Sequence, residues 1–243
     1  MTRVGRAGMM LFLGLTMARL LWTGSFGWFI QQRMAIPLAL ATVVLLGLGA
    51  YEAVQGTREE QRDESAARRS VAPRVGWMMV LPLLVLVSVA PTGLGAAAAD
   101  RVEAYTPPET TVLFQPLDLS QEPVEMRVFD FVDRAIWDDE KSISGLTVQL
   151  EGLVVNDETV DDGFLLTRFL VSCCAADGVP IQVAIRGVEQ SYPDDTWVVL
   201  EVEWIEPGVE YVELPINERV VEARVLSLTV DPDPPTNAYE SPY

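Results

Sequence analysis

The sequence predicts an α+β membrane protein in which three transmembrane helices precede a small, mostly β domain outside the cytoplasm. Three apolar runs each approach the ~20 residues that a helix needs to cross the hydrocarbon core. They span about 9–30, 35–54 and 75–98. Charge divides the chain as well: residues 1–99 carry a net +4, from nine arginines and five acids, and residues 100–243 carry −22. After Ser144 the apolar period changes to two, which is typical of strands.

The first apolar run contains a charged residue, Arg19. Because a charge is costly in lipid, Arg19 is expected to face protein or water. It either marks a contact with a partner helix or snorkels to the interface, and both interpretations stay open. The nearby Thr23, Gly24 and Ser25 would allow close helix packing. The second run has Pro37 in its first turn, where proline is tolerated.

Basic residues set the expected topology. The loop between the second and third runs is rich in arginine, at Arg58, Arg62, Arg68, Arg69 and Arg74. By the positive-inside rule this loop and the N-terminus lie in the cytoplasm, which places the acidic half outside. The third run ends in Ala96–Ala99 and thus also resembles a signal peptide with a cleavage site. Because two helices precede it, we expect this third helix to be retained.

Residues 100–124 are predicted to be a linker, because they contain several prolines and no apolar period. Residues 126–138 follow with helical spacing and predict a short amphipathic helix. Its apolar positions are Val128, Phe131, Val132 and Ile136.

Five strands are predicted in a β-rich domain spanning 125–232, with a C-terminal tail over 233–243. They run over about 146–155, 164–173, 179–185, 197–205 and 219–230. Their order and lengths fit a five-stranded, OB-like barrel. A barrel of this kind does not imply nucleic-acid binding, and the strongly negative charge argues against it.

Cys173 and Cys174 are adjacent and are the only cysteines, and the chain has no histidine. The missing histidine excludes a Ser-His-Asp triad and a zinc site of the HExxH type. With no phosphate loop or nucleotide fingerprint either, we do not expect an enzyme. At a strand end, the two thiolates and Asp177 can converge on Zn²⁺ or Cu(I). Packing cysteines and a redox-labile vicinal disulfide are the alternatives.

Arg168 lies in a mostly apolar strand five residues before the cysteine pair. We expect a buried ion pair for it, with Asp177 across the hairpin as the candidate partner. Alternatively, Arg168 lowers the pKa of the thiols.

Residues 163–177 resemble the central motif of the bacterial DUF1980 family, which includes proteins of the Bacillus YcgQ type. The motif consists of Arg-Phe, then Cys-Cys, then Ala-Asp, here Arg168-Phe169, Cys173-Cys174 and Ala176-Asp177. Glu151-Gly152-Leu153-Val154 before it, Trp197-Val198 after it and the terminal Pro242-Tyr243 are also similar. The helical plan of the N-terminal half is similar too, but generic.

The resemblance implies an accessory permease subunit in the plasma membrane, with several passes through the lipid. Members of the family are commonly paired with a multi-spanning permease of the ArsP-like, DUF318 type. Some members carry a His-rich loop between the second and third helices. The corresponding residues 59–70 contain acids and arginines but no histidine. A metal role that depends on that loop is therefore not expected for this chain. A stand-alone, membrane-tethered metal-binding or thiol-redox module is the alternative function.

Overall fold

The computed structural model describes residues 3–60, 93–106, 114–207, 220–232 and 238–241. The chain divides into two compact units, Met1–Thr92 and Gly93–Tyr243.

The described part of the first unit contains two helices, α1 (Arg3–Thr23) and α2 (Ala35–Glu60), joined by two short 3₁₀ turns. α1 ends before Gly24, whose φ of 72° is a left-handed conformation that glycine adopts without strain. α1 and α2 approach closely at two glycines. A Cβ atom on Gly14 would lie 2.7 Å from the Leu46 side chain, and one on Gly49 would lie 3.1 Å from the Leu11 backbone nitrogen. Small residues at such crossings are typical of helices that pack in membranes.

Within the described residues, one helix rather than three is long and apolar enough to cross a membrane, over Gln32–Gln55. The first predicted span is helical but starts earlier, at Arg3, and its arginines Arg6 and Arg19 lower its apolar character. The third predicted span lies outside the described residues up to position 92. Its last residues belong to the second unit instead, where Ala96–Ala99 form the short helix α3.

The second unit is a mixed α+β structure with one seven-stranded sheet. Its elements after α3 are β1 (Val124–Glu125), α4 (Val128–Trp137), β2 (Thr147–Val155), β3 (Gly163–Leu170), β4 (Val179–Arg186), β5 (Trp197–Trp204), β6 (Val221–Val230) and β7 (Tyr239–Glu240). The predicted amphipathic helix is α4, and the five predicted strands correspond to β2–β6. The two-residue strands β1 and β7 are too short to produce an alternating pattern, and the sequence did not predict them.

The five long strands form a closed cycle of pairings. β2 pairs with β5, β5 with β6, β6 with β4 and β4 with β3. β3 then returns to β2 through Leu153–Val155 and Leu165–Thr167. Within this cycle only β4 and β6 are parallel. Each strand points alternate side chains into a shared apolar core.

This core also contains one face of α4, through Val128, Phe131 and Val132. The inward residues of β5 are Val198, Leu200, Val202 and Trp204. Gly152 permits the close approach of β2 and β3, because a Cβ there would lie 2.9 Å from the Thr167 carbonyl oxygen.

The segment that enters the second unit is held by hydrogen bonds. The Leu94 N–H donates to the Tyr239 hydroxyl at 3.2 Å, and the Ala96 N–H donates to Asp195 at 2.6 Å. Ala96 and Ala99 are buried. The chain is therefore already part of the folded domain at Gly93, earlier than the boundary at 99/100 that the charge pattern predicted.

Candidate functional site: a dithiol turn braced by a carboxylate

The two cysteines lie in the turn between β3 and β4, three residues past the end of β3. A single 3₁₀ turn, Ala175–Asp177, follows them. Cys173 is exposed and Cys174 is half-buried, and both are free thiols. Their sulfur atoms are 3.7 Å apart. The predicted strand end is displaced, but the predicted convergence of the thiols is present.

The Asp177 carboxylate holds this turn in shape. Its two oxygens accept the backbone N–H groups of Ser172 and Cys173, each at 2.9 Å. The Asp177 N–H donates in return to the Cys174 carbonyl oxygen at 2.9 Å. These reciprocal bonds explain how neighbouring cysteines come to present their thiols on one side.

The turn also affects the ionisation of its groups. The Cys173 thiol donates to Asp177 and lies beside Cys174, and these contacts raise its pKa from 9.0 to about 11. Burial raises the pKa of Asp177, but the hydrogen bonds from Cys173 and the neighbouring N–H groups outweigh it, so the net shift is downward. At neutral pH the turn therefore carries an ionised carboxylate and a protonated Cys173.

One ligand atom from each of Cys173, Cys174 and Asp177 lies within 4.8 Å of the others. Among the described residues, this is the only group of three or more such side chains that could hold a metal ion. Two sulfurs bound to a tetrahedral Zn²⁺ at ~2.3 Å would stand about 3.8 Å apart. The observed sulfur spacing of 3.7 Å is thus already close to that of a zinc dithiolate.

The prediction that Arg168 pairs with Asp177 is wrong. Its guanidinium lies 3.6 Å from Glu240 and stacks over Trp197, with 5.0 Å between the guanidinium carbon and the ring centroid. Both charged side chains are buried. The expectation of a buried ion pair holds, but the partner is a residue of the predicted tail rather than of the cysteine turn.

Glu240 is a residue whose role the sequence analysis missed. Its two carboxylate oxygens accept the N–H groups of Val128 and Phe129 at 3.0 and 2.9 Å. The carboxylate thus caps the first turn of α4, where a negative charge also favours the helix dipole. Burial raises the pKa of Glu240, while Arg168 and the two N–H groups act against that rise. The cap lies 112 residues away along the chain, so no local pattern could have indicated it.

Arg19, the remaining predicted candidate, is not part of the cysteine turn, and neither are the acids of the neighbouring turns. Arg19 is exposed on α1, in the other unit. The acidic turn residue Asp157 caps its own turn by accepting the Thr159 N–H at 2.8 Å. Asp162 pairs with Arg186 at 3.1 Å. These acids thus make contacts within a turn and with the sheet.

The structure thus defines a small domain built on a closed cycle of strands, with an exposed dithiol turn. Residues 121–226 match the DUF1980 C-terminal domain. This part of the chain is therefore a DUF1980 C-terminal domain, which confirms the resemblance to the DUF1980 family. No curated protein and no solved structure matches the chain.

Proposed function

We propose that this chain is a membrane-anchored accessory subunit of a permease, whose outer domain binds a thiophilic metal ion at Cys173, Cys174 and Asp177. In this role it is a binding subunit and not an enzyme. The observation that carries the proposal is the convergence of an exposed thiol and a half-buried thiol beside an ionised carboxylate. The DUF1980 domain and the apolar helix Gln32–Gln55 support the anchored layout.

We further propose that the outer domain is an OB-like barrel. The cycle has four antiparallel pairs, three of them between strands that are consecutive in sequence, and one parallel pair. This is the pairing expected for a five-stranded Greek-key barrel. Its cargo is not nucleic acid, because a net −22 over residues 100–243 repels phosphates. The same charge attracts cations to the surface that carries the thiols.

The proposed location is the bacterial plasma membrane, with three passes, a cytoplasmic N-terminus and the dithiol turn outside. The arginine-rich residues 58–74 support this orientation through the positive-inside rule. In this arrangement the helices contact lipid and a multi-spanning permease of the ArsP-like, DUF318 type. Arg19, exposed on α1, is the candidate contact with that partner.

Thiol protection tests the metal site. Zn²⁺ added to the reduced full-length protein in detergent should slow alkylation of Cys173 and Cys174, and a chelator should restore the rate. An alkylation rate that does not respond to Zn²⁺ would contradict the metal site.

Co-purification tests the subunit role. The tagged chain should recover a DUF318-type permease, and Arg19→Ala should weaken that recovery. Recovery without any multi-spanning partner would contradict it.

The second candidate function is a stand-alone thiol-redox module, favoured by the 3.7 Å spacing of the two sulfurs. A module of that kind requires the pair to cycle between dithiol and disulfide. Counting free thiols after exposure to oxidised and reduced glutathione separates the two functions. A count that changes from two to none supports the redox module, and a constant count of two supports metal binding.

A further inference from the structure

The dithiol turn supplies too few ligands to close a tetrahedral site. The whole chain contains two cysteines, both already in the turn, and no histidine. Among the described residues, the group that includes them ends with Asp177. Structural zinc sites are closed by four protein ligands, whereas open sites keep one position for water or an incoming group. Among the described residues the turn therefore supplies three ligands, and the fourth position is left for water or for a ligand from another molecule.

The geometry of the turn suits an incoming ligand. Cys173 and Asp177 are exposed and Cys174 is half-buried, so the cluster faces solvent instead of the core. The brace leaves Asp177 able to bind an ion as well. Each carboxylate oxygen has two lone pairs, of which the Ser172 or Cys173 N–H group occupies one, and the hydrogen bond from the Cys173 thiol is lost when that thiol gives up its proton to bind the ion. Three ligand atoms are thus presented from one side, and the opposite side is open.

We propose that the turn is a relay site, at which Zn²⁺ bound by this chain is completed by a nitrogen ligand from a second protein and passed to it. This proposal rests on the metal binding proposed above and names its partner by chemistry, as a histidine side chain. Relay proceeds by ligand exchange. A metal–nitrogen bond forms where a metal–water bond breaks, and one water is released. Transfer then breaks the bonds of the ion to Cys173, Cys174 and Asp177 as further donor atoms of the second protein replace them. The released thiolates take up protons from solvent, and no electron is transferred.

The proposal distinguishes this turn from a storage site. A storage site retains its ion by saturating it with the protein's own ligands. Here the chain has only two thiolate ligands and both are in the turn, so a neutral imidazole can enter at the fourth position without first displacing a thiolate. Imidazole is also a ligand that zinc accepts readily and that this chain lacks entirely.

Cobalt substitution with free imidazole as the probe tests this inference. Co²⁺ replaces Zn²⁺ in the reduced full-length protein in detergent, and its visible absorption reports ligand number and type. We expect a thiolate-to-cobalt band that is absent in the Cys173→Ser/Cys174→Ser variant and retained in Ser227→Ala, a control at an exposed position of β6. Imidazole should then shift the ligand-field bands and saturate at one equivalent per bound cobalt.

Each outcome bears on one claim. Failure of the wild-type protein to bind Co²⁺ or Zn²⁺ would overturn the proposed function itself. Binding through the cysteines with ligand-field bands that ignore imidazole would leave that function standing and overturn the relay. Release of cobalt as the free imidazole complex before any ternary spectrum forms would also overturn it. One-equivalent saturation with the thiolate band retained supports it.

Discussion

Two polar clusters, the buried pair Arg168–Glu240 and the turn of Cys173, Cys174 and Asp177, differ in burial. Arg168 and Glu240 are enclosed, and Glu240 is further occupied by two backbone N–H groups of α4. The Cys173–Cys174–Asp177 turn begins five residues after Arg168 and faces solvent with both thiols free. The difference suggests that one motif serves two purposes. Its arginine stabilises the fold, and its cysteines remain available for chemistry.

Removal of Arg168 should produce the largest loss of stability. Arg168→Ala leaves the Glu240 carboxylate buried without its cation, and breaking such a pair costs about 3–5 kcal/mol in free energy of unfolding. Urea unfolding of the unit Gly93–Tyr243 measures it. The matched control is Arg224→Ala, whose pair with Glu203 is long, at 4.0 Å, and largely exposed. An exposed pair is worth about 0–1 kcal/mol, so equal losses in the two variants would contradict the comparison.

The pH dependence of Glu240 gives a smaller effect with a defined sign. The pKa of Glu240 in the folded state is raised above the ordinary value of 4.5, so the protonated side chain favours the folded state. This contribution to the free energy of unfolding is fully present below pH 4.5 and is lost as the pH rises through the folded-state pKa. Glutamine cannot titrate. The wild-type unit should therefore lose stability relative to Glu240→Gln as the pH increases above 4.5, in urea titrations across pH. A wild-type advantage that grows with pH would show that the ion pair outweighs burial.

These two predictions concern residues that sequence could identify only in part. The amphipathic helix and five strands follow from periodicity, because each pattern reports burial on one face of a local element. Arg168 was recognisable as a buried cation, since it interrupts an apolar strand. Its partner was not, because Glu240 reaches it through the two-residue strand β7 beside β3. A strand that short has no period to detect.

The cysteine turn was more predictable for the same physical reason. Cys173, Cys174 and Asp177 lie within five residues, so the local turn alone brings them together. The sequence could not indicate that the Asp177 carboxylate accepts hydrogen bonds from two backbone N–H groups and thereby fixes the shape of the turn. The apolar helices were harder to judge. Among the described residues, only the helix over Gln32–Gln55 is long and apolar enough to cross a membrane. The arginines of α1 make that helix less apolar than α2.

The thiol chemistry of the turn yields a third prediction. With a pKa of about 11 rather than 9.0, Cys173 at neutral pH should hold about a hundredfold less thiolate than an unperturbed thiol. Its alkylation rate, followed by mass spectrometry, should keep rising with pH beyond 9.0. Asp177→Asn removes the principal cause of the shift and should accelerate alkylation at neutral pH. A Cys173 rate that levels off below 9.0 would contradict the hydrogen bond to Asp177.

The smallest expected effect is on stability at the cysteine turn. Because the Cys173 side chain is exposed, Cys173→Ser should leave the urea midpoint of the unit Gly93–Tyr243 unchanged within error. A clear loss of stability would show that the thiol is a packing residue. The turn would then have a structural role, like the buried ion pair of Arg168 and Glu240.

The most direct test of the account is the zinc content of the full-length protein, purified in detergent under reducing conditions and measured by mass spectrometry of the metal. We expect one zinc per chain in the wild-type protein and in Ser227→Ala, an exposed position outside the turn, and none in Cys173→Ser/Cys174→Ser. Wild-type protein that stays free of zinc after incubation with it, or equal zinc in all three proteins, would contradict metal binding at the dithiol turn.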